Sequence, residues 1–384
     1  MRTPAPRSRY AALGSLVLAA GSLASCSAAT GRATSTSTTD LVSTTTTSPS
    51  IPPPTTHPTT TSSPPDTTTT TSLAPTTVTV PGSSQKFTSY PPAAAGPPLP
   101  KPASLAPLPG NSKQPGEGKW SPAGRRVEGR AAVYETTLQE AGAPGGTAGI
   151  AWMDPRLLSA TLYSGSESPG HGPWLYTAPI EPAQAQTLVV AFNGGFKMPD
   201  SNGGYYDYGQ TVVPLRDGAA SFVIYANGTA TVGEWGRDAV MGPGISAVRQ
   251  NLTLLVDNGQ PVAGLNPYDT SVWGSTLHGQ PQVWRSGVGV TADGALVYVT
   301  GPSLNIVQLA QLLVQARAVR AMELDINPAW PTFATFAPVP PNGPATVSNG
   351  ADLLPGMEGQ PYRFFEIFWP RDFITLSARP SRVG

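Results

Sequence analysis

Residues 26–118 constrain the fold most, because they contain few side chains that a hydrophobic core could bury. This tract is rich in threonine, serine and proline, as in the runs 43–47 and 52–54. Ordering one residue costs about 1–2 kcal/mol of backbone entropy, which buried apolar surface must offset. We therefore expect a disordered stalk, with a composition typical of O-glycosylated stalks.

The sequence changes character at Lys119, after which tryptophan, tyrosine, valine and leucine recur regularly. We interpret residues 119–384 as one folded domain. The chain has 23 basic and 23 acidic residues, so its formal net charge is zero. Nucleic-acid binding normally requires a basic surface, and we therefore expect no nucleic-acid partner.

The N-terminus, residues 1–25, has the pattern of a secretory signal. A basic start precedes the apolar stretch Tyr10–Leu23, which is too short to span a membrane as a helix. The run Leu23-Ala24-Ser25-Cys26 resembles the lipobox of bacterial lipoproteins. That resemblance implies lipidation of Cys26 and an extracytoplasmic domain anchored to the outer face of a bacterial cell membrane. The alternative is an ordinary secreted protein in which this single cysteine is incidental.

Short apolar runs between turn residues dominate the folded part and predict β-strands. Antiparallel hairpins are indicated wherever an Asn-Gly or Asp-Gly pair separates two such runs. The predicted strands include 148–153, 160–163 and 186–192, and the predicted hairpins turn at 226–228, 257–259 and 292–294.

One segment has helical periodicity instead. Ser303 is the expected N-cap of a helix that follows the strand 295–300 and precedes the apolar strand 319–326. A strand-helix-strand unit of this kind is usually parallel and right-handed. The predicted fold class is therefore α+β, a mixed sheet with several antiparallel hairpins and at least one such crossover.

Three polar side chains should project from one face at the end of the strand 319–326, namely Glu323, Asp325 and Asn327. The two carboxylates could act as acid and base, or bind a divalent cation such as calcium. The alternative is a solvated strand end in which Arg320 or Arg285 is the counter-ion.

Two further motifs favour a ligand site. Asn193-Gly194-Gly195-Phe196 follows a buried strand, and its glycines permit close approach of the backbone to a ligand. Arg285 leads the strand 286–291 and has the donor geometry to bind phosphate.

The ordered series of these motifs, from Asn193 to Asp325, resembles the phosphodiester glycosidase family, whose pattern runs NGGFF, RTAIG and LDGGGS. The resemblance implies that Asn193, Gly194, Gly195, Arg285 and Asp325 lie at a sugar-phosphate pocket, with Glu323 and Asn327 beside it. Two departures stand out in this chain. The second phenylalanine of NGGFF is Lys197, and Pro328 replaces a flexible glycine after Asp325.

Two functions follow as expectations. The first is an extracytoplasmic lipoprotein that hydrolyses a sugar 1-phosphodiester, or a related glycosidic bond, in envelope or extracellular glycans. Asp325 and Glu323 would be its catalytic carboxylates. The second is a non-catalytic lipoprotein of the same fold that binds a glycan or cell-wall polymer. The spacing of histidines and cysteine offers no zinc site, and the oxygen-rich fragment 200–203 lacks the terminal glutamate of a calcium loop, which favours a surface turn.

Overall fold

The computed structural model describes residues 96–140, 146–276 and 279–380. The predicted signal segment, Cys26 and most of the predicted stalk lie outside these residues. Within the described part of the chain, no helix is both long enough and apolar enough to cross a membrane.

Residues 96–118, which composition assigned to the stalk, pack against the domain. Leu105 and Leu108 are only 4% and 3% exposed and belong to a hydrophobic core cluster. The backbone N–H of Leu105 donates to the carbonyl of Gly118 at 2.9 Å, and the indole of Trp120 donates to Ala103 at 3.0 Å. The packed residues thus extend N-terminal of the predicted boundary at Lys119. We call residues 96–118 the N-terminal strap.

The described residues that follow form eighteen strands and three short α-helices, with two 3₁₀ helices at Val347–Asn349 and Pro361–Phe365. The strands are β1 (Ser121–Val127), β2 (Arg130–Gln139), β3 (Thr147–Met153), β4 (Leu158–Tyr163), β5 (Leu188–Asn193), β6 (Tyr205–Asp207), β7 (Gln210–Val213), β8 (Ala220–Tyr225), β9 (Ala230–Glu234), β10 (Ile245–Gln250), β11 (Leu254–Asp257), β12 (Gln260–Pro261), β13 (Val283–Thr291), β14 (Leu296–Leu304), β15 (Ala318–Glu323), β16 (Phe333–Phe336), β17 (Gly350–Asp352) and β18 (Phe373–Ala378). The helices are α1 (Pro182–Ala185), α2 (Thr270–Trp273) and α3 (Ile306–Gln315).

The strands form three sheets with the orders β1-β2-β3-β14-β13-β15-β11-β12, β7-β6-β10-β8-β9 and β17-β16-β5-β18-β4. Every ladder among these described strands is antiparallel. The prediction of a mixed sheet was therefore wrong, and the fold is mostly antiparallel β with few helices. The crossover explains the difference. β14 and β15 both pair with β13, so they run parallel to each other but are not neighbours.

The helix of that crossover begins two residues later than predicted. Its N-cap is Asn305, whose side chain accepts from the N–H of Gln308 at 2.9 Å, while the Gln308 side chain accepts from the N–H of Asn305 at 2.8 Å. This reciprocal capping satisfies two otherwise unpaired donors. The apolar face of α3, with Leu309, Leu312 and Leu313 fully buried, packs onto the eight-stranded sheet.

Aromatic rings join the eight-stranded sheet to the five-stranded sheet that contains β5 and β16. The ring of Phe192 in β5 lies 5.4 Å from that of Tyr298 in β14, and Phe333 in β16 lies 4.9 Å from Tyr298. This contact fixes the end of β5 beside the end of β15. The segments that follow β5 and β15, and the segment that precedes β18, therefore meet at one edge of the domain.

Candidate functional site

Asn193, the last residue of β5, anchors the first loop of the site. Its side-chain oxygen accepts from the Tyr298 hydroxyl at 2.8 Å and from the N–H of Thr332 at 3.1 Å. Its side-chain nitrogen donates to the carbonyl of Gly194 at 2.8 Å and to the hydroxyl of Ser286 at 3.1 Å. The amide of Asn193 is thus fully used within the protein, which makes it a fixed support for the loop.

The two glycines after Asn193 are needed because neighbouring side chains lie too close for a Cβ atom. A Cβ on Gly194 would lie 2.0 Å from a carboxylate oxygen of Asp372, and one on Gly195 would lie 2.8 Å from the side chain of Asn251. The N–H of Gly194 donates to the carbonyl of Asp372 at 2.9 Å. The Asn-Gly-Gly motif therefore packs the start of β18 tightly against the end of β5.

Asp325 lies just beyond the end of β15, and donors surround its carboxylate. One oxygen accepts from the backbone N–H groups of Ile326 and Asn327 at 2.8 and 3.0 Å. The other accepts from the guanidinium of Arg371 at 2.6 Å. Burial raises the pKa of Asp325, and the charge of Arg371 opposes that rise. Ser286 bonds to the side chain of Asn193 and to the backbone of Asp325, so the structure brings these two predicted residues together.

Arg371, which the sequence analysis did not identify, is the counter-ion of Asp325. The same nitrogen of its guanidinium also donates to the carbonyl of Gly195 at 2.6 Å. The guanidinium carbon lies 4.8 Å from the centre of the Trp330 ring, within cation–π distance. Trp330, also unpredicted, thereby packs against Arg371.

Arg285 and Glu323, both predicted to face a ligand, form a separate buried ion pair instead. Their charged atoms are 2.6 Å apart, and their side chains are 2% and 0% exposed. Arg285 also donates to the carbonyls of Leu304 at 2.9 Å and Pro281 at 3.2 Å. Burial raises the pKa of Glu323 to about 7 against the opposing charge of Arg285. Arg285 is thus the counter-ion that the alternative named, but the strand end is buried and not solvated, and neither residue lines the cleft.

A second buried pair lies beneath the loop. Arg249 in β10 donates to both carboxylate oxygens of Asp372, at 2.8 and 3.2 Å, and the two side chains are 1% and 0% exposed. The terminal nitrogen of Arg249 that binds Asp372 also donates to the carbonyl of Phe196. This pair connects the second sheet to the loop after β5.

The loop after Asp325 turns its amides inward. The N–H of Ala329 donates to the side chain of Asn327 at 3.1 Å, and the N–H of Trp330 donates to the carbonyl of Asn327 at 2.8 Å. Pro328 has no N–H to donate. Since the N–H groups of residues 326 and 327 already bind Asp325, every amide from 326 to 330 is used within the loop or absent. Asn327 lines the cleft, but its side-chain oxygen is used by the N–H of Ala329 within this loop.

An open cleft of about 360 Å³ lies over Asp325 and Arg371. This volume is within the range that small-molecule sites occupy. Glu323 and Arg285 are not among the described residues that line it. The lining residues are Phe196, Lys197, Asp200, Asn202, Leu252, Thr270, Ser271, Gly274, Ser275, Asp325, Ile326, Asn327, Trp330 and Arg371.

Among the described residues, no group of three or more histidine, cysteine, aspartate or glutamate side chains is close enough to hold a metal ion. In the fragment 200–203, the carbonyl and side chain of Asn202 accept from Arg216, and Ser201 is buried.

Comparison with known proteins supports the predicted resemblance. The family model of phosphodiester glycosidases (NAGPA) matches residues 186–325. This span contains Asn193 and Asp325 but not Asn327, Trp330 or Arg371. No curated protein sequence matches the chain significantly.

Two solved structures are similar over most of the domain. One is the zebrafish N-acetylglucosamine-1-phosphodiester alpha-N-acetylglucosaminidase catalytic domain, auto-inhibited by its pro-peptide. It has 15% identity and a TM-score of 0.40, over 68% of this chain and 88% of that one. The other is a hypothetical protein from Synechocystis, with 12% identity and a TM-score of 0.35, over 67% and 64% of the two chains.

Proposed function

We propose that the protein is a glycosidase-type hydrolase that cleaves a sugar 1-phosphodiester or a related glycosidic bond. The observation that carries this proposal is the position of Asp325, a carboxylate oriented by Arg371 and two backbone amides on the wall of an open cleft. The family match over residues 186–325 supports the same class of reaction.

In the proposed reaction, Asp325 accepts the proton of the attacking water. The water oxygen bonds to the anomeric carbon, and the bond from that carbon to the leaving oxygen breaks, its electron pair remaining on the leaving group. Arg371 keeps the carboxylate in one orientation throughout, because it also binds the carbonyl of Gly195. The products are a sugar with a free anomeric hydroxyl and the released leaving group, and Asp325 returns its proton to solvent.

Asp325 is the one buried carboxylate among the described residues that line the cleft, and this suits a phosphate leaving group. Glycosidases commonly use a second carboxylic acid to protonate the leaving oxygen. A phosphomonoester, whose second pKa is about 6, leaves as an anion and does not require that proton. Glu323 is sealed in its pair with Arg285 and is therefore not assigned to proton transfer in this proposal.

The finer parts of the proposal concern substrate and location. We infer that the substrate is a phosphodiester of a sugar in envelope or extracellular glycans, and that the protein is anchored through a lipidated Cys26. If so, Cys26→Ser should move the protein out of the membrane fraction. A variant that remains processed and membrane-bound would contradict the anchor.

Turnover of a sugar 1-phosphodiester by the full chain tests the enzyme proposal. Asp325→Asn should reduce turnover by about 10²–10⁴-fold, which is the usual contribution of a general base. Asp257→Asn is a matched control, since Asp257 pairs with Arg237 away from the cleft. Equal turnover by Asp325→Asn and the parent protein would refute the assignment.

A non-catalytic, glycan-binding role is the second candidate, and one observation favours it. The amides between 326 and 330 are used within the loop, so this segment offers no N–H group to stabilise a transition state. Saturable glycan binding without measurable turnover, in the same assay, would favour this role over hydrolysis.

A further inference from the structure

Three arginines, one that lines the cleft and two more buried in the domain, are each neutralised by a buried carboxylate. Each of three arginines has one such partner at 2.6 or 2.8 Å, and none of the six side chains is more than 6% exposed. A buried, hydrogen-bonded pair is costly to break, since the remaining charge is then uncompensated. An incoming anion would have to compete with these pairs, which are Arg249–Asp372, Arg285–Glu323 and Arg371–Asp325.

Lys197 differs from these arginines in both position and exposure. It lines the same cleft as Asp325 and Arg371, and its side chain is 50% exposed. Its ion pair is with Glu167 at 3.4 Å, and the Glu167 side chain is 61% exposed. A solvent-exposed pair of this length contributes little to stability, so Lys197 can exchange its partner at small cost.

The backbone fixes where Lys197 stands. Phe196, its neighbour, is 5% exposed and packs in the core, and the carbonyl of Lys197 accepts from the N–H groups of Asp200 and Ser201, both at 2.9 Å. A packed turn therefore holds Lys197 at the cleft, and its ammonium group contacts Glu167. Asp200 also lines the cleft, and its negative charge would repel an anion bound at Lys197.

We propose that Lys197 is a specificity-determining residue that binds a phosphate group at this cleft. Its ammonium exchanges Glu167 for the phosphate oxygens of the ligand. The inference deepens the proposed function by placing the anionic, leaving side of the substrate near Lys197. It also transfers to Lys197 the phosphate-binding role that the sequence predicted for Arg285.

Equilibrium binding to the full chain tests this, with no turnover needed. The probes are N-acetylglucosamine 1-phosphate, its neutral methyl glycoside counterpart, and inorganic phosphate, each followed by calorimetry. Lys197→Gln should weaken binding of both phosphate probes about tenfold, the size expected for a lost charge-assisted hydrogen bond. Affinity for the neutral glycoside should not change.

Three further variants sharpen the test. Lys197→Arg should retain the preference for phosphate, and Glu167→Gln and Asp200→Asn should each strengthen phosphate binding about twofold. Lys119→Gln removes an equally exposed charge outside the cleft and should have no effect.

The inference is overturned if Lys197→Gln binds the phosphate probes as tightly as the parent, or if the parent binds neither of them. Phosphate binding that depends on Lys197 in a protein without turnover would instead uphold it while the hydrolase proposal fails.

Discussion

Glu323 and Asp325 are two residues apart, each is paired with an arginine at 2.6 Å, and yet they differ in what surrounds the pair. Glu323 is the last residue of β15 and meets Arg285 across the ladder with β13, where strand, helix and loop enclose both groups. Asp325 lies past the strand end, where its partner Arg371 comes from the segment before β18 and the cleft lies alongside.

Both groups are carboxylates paired with an arginine, so their position relative to the end of β15 accounts for the difference between them. The Arg285–Glu323 pair lies within the ladder and does not line the cleft. The Arg371–Asp325 pair, two residues further along the chain, does line it. The sequence pattern alone gave both carboxylates the same prediction, because alternation along a strand places them on the same face.

The largest expected effect is on the closed pair. Arg285→Met should lower the free energy of unfolding by about 3–5 kcal/mol, because it leaves Glu323 buried and uncompensated. Denaturant unfolding measures this loss. The double variant Arg285→Met/Glu323→Met should recover most of it, and a double variant as unstable as the single one would contradict a structural role for the pair.

The free energy of unfolding should depend on pH through the protonation of Glu323. Its pKa is raised from 4.5 to about 7, so the folded state holds a proton that the unfolded state has released. Stability from this group is therefore complete below about pH 4.5 and is lost as pH rises towards 7. Glu323→Gln should remove this part of the slope in unfolding measured between pH 4.5 and 8.

The same measurement on Arg285→Met gives a sharper outcome. Arg285 lowers the pKa of Glu323, so its removal should raise that pKa further. The gap in stability between parent and variant should then widen with increasing pH. A gap that stays constant over this range would show that Glu323 does not titrate in the folded protein.

The open pair should be more tolerant. Asp325→Asn should cost about 1–3 kcal/mol of stability, since Arg371 loses a charged partner but keeps the carbonyl of Gly195 and the ring of Trp330. Thermal or denaturant unfolding of Asp325→Asn and Arg285→Met, measured together, decides which of the two ion pairs contributes less to stability.

The smallest effect is expected at Trp330. Trp330→Leu should remove a cation–π contact with Arg371 worth about 0.5–1 kcal/mol, and loosening Arg371 should raise the pKa of Asp325. Carbon-detected NMR titration of Asp325 reports this shift. Trp174→Leu is the control, because its indole donates to the carbonyl of Gly170 and does not line the cleft. An unchanged Asp325 pKa in Trp330→Leu would mean that the indole does not position Arg371.

The local parts of the fold were predictable from the sequence. The hairpin of β8 and β9 turns at Asn227-Gly228 as expected, and β3, β4 and β5 coincide with predicted apolar runs to within two residues. The helix start was displaced because Ser303 and Asn305 are both capable caps, and only the reciprocal bond with Gln308 selects the second. Sheet order was not predictable, since β13 enters between β14 and β15 through long-range pairing.

The site was predictable only where a motif carried it. Asn193 and Asp325 follow apolar strands directly, and their motifs located both. Arg371 and Trp330 reach Asp325 from other segments, and neither has a spacing that reveals the contact. One signal was present, a charged pair, Arg371-Asp372, immediately before the apolar strand 373–378. Charged residues directly before a buried strand can thus indicate a site as well as those directly after one.

The N-terminal strap has a mechanical consequence. Leu105 and Leu108 insert into the core, and Glu117 accepts from the N–H groups of Gln114 and Gln139, both at 2.8 Å. Tension arriving from the residues upstream would therefore act first on these side chains, in the direction that peels the strap from the sheet, before it reaches β1. Under the proposed anchor at Cys26, the N-terminal strap would therefore bear such tension before the rest of the domain does.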